Sequence, residues 1–212
     1  LSLFTTHSRL KSVFNPDMYH GWVKKKSFFE GWYYKLVNRE ADKIYAIIPG
    51  VSIDSDGNKH AFIQVLDGIN SEAEYFRFSF DDFRTSTRKF KISVAENIFS
   101  INYISLNLPK MKGYLEFTGL NKWPNSWYSP GIMGPYTFIP FMECYHGIVS
   151  MDHEIAGKLT MDSGTIDFNG GRGYIEKDWG RSFPEAYIWL QSNHFKEDAT
   201  SLKLSVARIP WI

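Results

Sequence analysis

Glu176 and Asp178 stand in GRGYIEKDWGRSFPEAYIWLQSN (171–193), two carboxylates in a run crowded with Tyr, Trp and Phe. Residues 185–193 can alternate apolar with polar side chains as a half-buried strand does, but residues 171–184 cannot, so packing alone does not explain the composition. If 174–178 is extended, Tyr174, Glu176 and Asp178 share one face, and Ile175, Lys177 and Trp179 the other. A carboxyl enclosed by rings is pushed up in pKa by desolvation unless a cation compensates, which makes a proton donor usable near neutral pH. FFEGWYYKL (28–36) offers a second such carboxyl, Glu30, between Phe28, Phe29 and Trp32. The competing structural reading is an ion pair, of Glu176 with Arg172, Lys35 or Arg181.

Other chemistries fit less well. Glu143, His146, Asp152, His153 and Glu154 lie close in sequence, yet on a strand Glu143 and His146 face opposite ways, as do His146 and His153, so no metal site is expected. Gly170, Gly171 and Gly173 lack the Lys-Ser/Thr ending of a phosphate loop, and no Gly-x-Ser-x-Gly elbow occurs. Cys144, the single cysteine, excludes an intrachain disulfide and reads as packing.

The elements that must hold these residues are strands. Period-two segments recur at 32–37, 43–48, 60–66, 74–80, 89–94, 97–106 and 113–117, separated by turn signals such as DSDGN (54–58). They predict an all-β, antiparallel barrel or sandwich, with at most a helical turn near residues 15–20. NKWPNSWYSPGIMGP (121–135) is too apolar for a linker and reads as an ordered loop that covers a cavity or bridges two sheets, with a packed crossover the plain alternative. Further strands follow it.

With 24 basic and 23 acidic side chains the net charge is +1, which offers no footprint for nucleic acid. No apolar run reaches the roughly 20 residues of a membrane helix. The chain reads as soluble, with the cytoplasm favoured; peripheral membrane contact and the oligomeric state stay open. Aromatic residues make up 17% of the chain, more than a generic core needs, and this surplus is the main compositional clue.

FFEGWYYKL (28–36) together with GRGYIEKDWGRSFPEAYIWLQSNHF (171–195) resembles the tocopherol cyclase family, and NPDMYHG (15–21) and ARIPW (207–211) look like family segments too. The resemblance implies a lipocalin-like fold of two antiparallel β-barrel-like domains, divided here as 1–135 and 136–212 with the second incomplete. It also implies a cofactor-independent isomerase that closes a ring by acid-catalysed addition of a phenolic hydroxyl to a prenyl double bond. Glu176 is then the general acid, ahead of Asp178 because plant cyclases carry Asn at that position. Asp178 and Lys177 tune or orient it, and Glu30 is a base or supporting partner. Trp32, Tyr34, Tyr174, Trp179 and Trp189 line the apolar pocket, while Gln191 and Asn193 bind the head group. A noncatalytic binder of a prenyl-type ligand and a hydratase of an isoprenoid double bond are the rival readings.

Overall fold

A computed structural model of the chain describes residues 14–195 and 200–208, so the ARIPW segment extends beyond the described residues. Its strands are β1 (Phe28–Val37), β2 (Ile44–Ile53), β3 (Lys59–Asp67), β4 (Glu72–Ser79), β5 (Phe83–Thr85), β6 (Lys91–Val94), β7 (Asn97–Ser100), β8 (Tyr103–Leu108), β9 (Met111–Thr118), β10 (Cys144–Met161), β11 (Gly164–Asp167), β12 (Gly171–Gly180), β13 (Tyr187–Ser192) and β14 (Leu202–Ala207). Only short 3-10 turns accompany them among the described residues, at Gly21–Val23, Phe80–Asp82 and Gly134–Phe138. No helix there is long and apolar enough to cross a membrane. The all-β expectation holds.

Twelve strands form one antiparallel sheet in the order β4-β3-β2-β1-β12-β10-β9-β8-β7-β6-β5, with β11 paired to β10. The expected closed barrels are not seen among the described residues: β4 and β5 stand at the two ends of an open sheet and do not pair with each other. Strands from both sides of position 135 share this sheet, because β12 pairs with β1 and β10 with β9. The sheet nevertheless curls strongly. Trp32 on β1 stacks on Phe90 at 6.0 Å, and Tyr34 approaches Phe99 at 5.7 Å and Phe117 at 6.1 Å, so rings from distant strands fill one core. Each large apolar side chain buried there contributes roughly 1.5–3 kcal/mol.

The period-two reading located the strands but not their breaks. The stretch 97–106, expected as one strand, is two. The Ser100 hydroxyl accepts from the backbone N–H of Asn102 and Tyr103, at 3.3 and 3.1 Å, and so turns the chain between β7 and β8. Conversely, β10 runs unbroken through 18 residues, bent by register irregularities between Ile148 and His153.

The inner face of β1 and β12 looks into the main core. On the outer face lies a second, smaller cluster of Ile148, Met151 and Tyr174, with Tyr33, Trp123, Ile132 and Trp189 packed on it. The β13–β14 hairpin, a separate two-stranded sheet, and the loop after β9 cover this face.

A candidate acid site beneath the hairpin

β12 alternates as its sequence demands, and its two faces have different uses. On the outer face, Tyr174, Glu176 and Asp178 project in line. Glu176 is buried, 4% exposed, and its Oε2 accepts from the Tyr174 hydroxyl at 2.5 Å and from the Trp189 indole N–H at 3.0 Å. Register brings in a histidine from the neighbouring strand: His146 on β10 lies opposite Asp178, and Ile148 opposite Glu176. Residues directly opposite in an antiparallel pair share a face. His146 Nδ1 is 2.7 Å from Asp178 Oδ1, and its Nε2, which has no hydrogen-bond partner among the described residues, lies 3.4 Å from Glu176 Oε2.

Burial pushes the Glu176 carboxyl above the usual carboxylate range. His146 pulls it back, the Asp178 charge raises it further, and the Tyr174 and Trp189 hydrogen bonds lower it without cancelling the rise. No Lys or Arg lies within ion-pair distance of Glu176 among the described residues. The cations considered from sequence are engaged elsewhere. Arg172 pairs with Asp152, Lys35 bonds Gln191 at 2.8 Å, and Arg181 reaches the Phe141 carbonyl. Cys144 lies beside the cluster with its thiol pushed upward by burial and by the Asp178 and Glu176 charges, so it stays a thiol.

The cluster stands at the wall of a cavity of about 690 Å³. His146 and Asp178 line it, beneath a largely apolar enclosure that includes Trp123, Ile132, Tyr136, Phe183, Ile188 and Trp189. The loop 121–135 thus covers a cavity, the first of the readings offered for it.

Several sequence assignments change. Trp32, Tyr34, Lys177, Trp179 and Glu30 do not line this cavity; they belong to the opposite side of the sheet. Trp32 and Tyr34 are fully buried core residues, and the Tyr34 hydroxyl donates to the Ser100 carbonyl at 3.0 Å. Lys177 and Glu30 form an ion pair with both side chains fully buried, joined by His20, whose backbone N–H donates to Glu30 Oε1 at 2.9 Å and whose Nδ1 is 2.7 Å from Lys177 Nζ. The ammonium lies over the Trp32 and Trp179 rings at 4.6 and 4.9 Å. Desolvation works to raise Glu30, but Lys177 and His20 hold it below its ordinary range; burial pushes Lys177 down to about 8 against the pull of Glu30. This is a buried structural pair, whereas none of the three cations named from sequence for Glu176 is among its ion-pair partners.

Gln191 and Asn193 tie the hairpin to the sheet. Asn193 Nδ2 donates to Asp152 Oδ1 and to the Gly173 carbonyl, both at 2.9 Å, which leaves that side chain no freedom to bind a head group. Of the assigned residues, Asp178 and Trp189 line the cavity, with Glu176 bonded to Trp189 and Tyr174 behind it.

Residues 115–208 match the family described as Tocopherol cyclase-like. The tocopherol cyclase-like span contains every residue that lines the cavity, together with Tyr174 and Glu176; the FFEGWYYKL block, also read as family-like, falls outside it. No curated protein matches the chain. Among solved structures, the crystal structures of CghA and of CghA with Sch210972 are similar, each 10% identical with a TM-score of 0.48, covering 78% of this chain and 50% of theirs. The chain thus spans about half the length of those proteins, and a likeness at this level carries no argument about the site.

Proposed function

We propose that this protein is a tocopherol cyclase-like isomerase that adds a phenolic hydroxyl across a prenyl double bond, with Glu176 as the acid. The observation that supports it is a carboxyl held above its usual range, with no Lys or Arg partner among the described residues, beside a His–Asp pair at the wall of an apolar cavity. Protonating a trisubstituted alkene needs a desolvated acid, and the tertiary cation formed is stabilised by aromatic faces such as Trp189.

The proton cycle closes within three side chains. Glu176 gives its proton to the alkene, making a C–H bond and leaving a carboxylate that Tyr174 and Trp189 stabilise by hydrogen bonding. The phenolic oxygen attacks the cation, forming the C–O bond as its own O–H bond breaks. Asp178 as a carboxylate can only accept, so it fixes the His146 proton on Nδ1 and leaves Nε2 a lone pair to take the phenolic proton. From Nε2 that proton returns to Glu176 across 3.4 Å. Nothing is oxidised or reduced, and the product is an isomer of the substrate.

Product analysis tests this reading. Incubation with a prenylated hydroquinone is expected to give the chromanol. A tertiary alcohol would mark a hydratase, and unchanged but bound substrate a noncatalytic carrier; either would overturn ring closure as the activity.

A further inference from the structure

Lys203 and Arg208 are cations of the cavity's second wall, and Arg208 is paired with Glu185. In the β13–β14 hairpin Lys203 lies opposite Gln191, and Ser205 lies opposite Trp189, so all four share one face. That face looks onto the acid cluster, because the Trp189 indole reaches Glu176. Leu204 and Val206 of the same strand border the cavity beside it.

The ammonium has a single hydrogen-bond partner among the described residues, the neutral Ser205 hydroxyl, and no carboxylate within ion-pair distance. An ammonium has three donors, so Lys203 keeps unused capacity next to an apolar enclosure. Burial lowers its pKa, and the more distant Glu176 and Asp178 charges work to raise it. A half-buried cation so placed is complemented by an anion brought in with the ligand.

We propose that Lys203 forms an anion subsite that takes the ionised oxygen of an otherwise apolar acid, a carboxylate, enolate or phenolate. The inference rests on the cavity's being the substrate site, and names the class of substrate: apolar molecules with an acidic oxygen at one end, seated so that the neighbouring carbon skeleton lies against the acid cluster. A charge-assisted hydrogen bond in partial shelter from water distinguishes such an acid from its ester by about tenfold or more.

The test is tryptophan-fluorescence titration of the full chain with retinoic acid and with methyl retinoate. The wild type is expected to bind the acid about tenfold more tightly than the ester. Lys203→Gln should abolish that preference by weakening the acid alone, Lys203→Arg should keep it, and Glu176→Gln should leave it in place. Lys203→Met serves the same comparison if the Gln variant does not fold. Equal affinity of the wild type for both probes, loss of both together in Lys203→Gln, or no binding of either would overturn the subsite. Ring closure of a prenylated hydroquinone without any acid preference would overturn the subsite and leave Glu176 as the acid; a kept preference with full turnover in Glu176→Gln would do the reverse.

Discussion

At the residue scale, the chemistry depends on how three side chains divide their tasks. Glu176→Gln keeps shape and hydrogen bonding but carries no transferable proton, so turnover is expected to fall roughly 10²-fold or more while the melting temperature and ligand affinity stay near wild type. Full turnover would remove Glu176 from the mechanism. Asp178→Asn is expected to be milder, yet no longer neutral as a mere spectator would be, because an amide cannot fix the His146 proton on Nδ1 as a carboxylate does. The two carboxylates and their shared face were legible in sequence from strand alternation alone. His146 was not: on the strand it faces away from Glu143 and from His153, which argued against convergence, whereas the convergence is across strands, set by the register that places it opposite Asp178. One sequence rarely discloses register.

At the element scale, β12 separates two buried charge clusters by its pleat, so Lys177 and Glu176, adjacent in sequence, never meet. The Glu30–Lys177 pair joins β1 to β12 and, through His20, holds the segment before β1. Truncating one partner strands the other charge, so Lys177→Met is expected to cost about 3–5 kcal/mol in urea unfolding, and Glu30→Gln with Lys177→Met to recover most of it. A stable Lys177→Met with impaired turnover would instead return Lys177 to the acid site. Sequence could not sort these roles, since Glu30 and Glu176 both read as carboxylates among rings. What separates them is the partner across the sheet, a lysine for one and a histidine for the other.

At the scale of the whole molecule, the sheet's curl buries groups that strain against low pH. His153 sits against Phe117 and over Gly173, where a Cβ would meet its Nε2 at 2.2 Å, and burial pushes it down to about 4. The unfolded chain takes up this proton near the ordinary histidine value and the folded chain only near 4, so stability is lost as pH falls between the two. The loss is about 3 kcal/mol for this residue. Unfolding free energies at neutral and mildly acid pH are expected to diverge more for the wild type than for His153→Gln; equal acid sensitivity would show His153 to be silent. Strand content was plain from periodicity, but closure was not, because a period of two says which face is buried and nothing about whether the end strands meet. The hairpin was legible as strands, and its function as a cover over Glu176 was not, since Trp189 and Asn193 find their partners only in the fold.

The protonation of Glu176 is most directly read by infrared difference spectroscopy of the wild type against Glu176→Gln. A protonated-carboxyl band is expected to persist above the ordinary range of a glutamic acid, where burial holds the Glu176 carboxyl, and to vanish as the pH rises through the raised pKa. Catalytic activity is expected to decline over the same interval. A Glu176 band already lost near the ordinary value of about 4.3 would contradict its role as the proton donor.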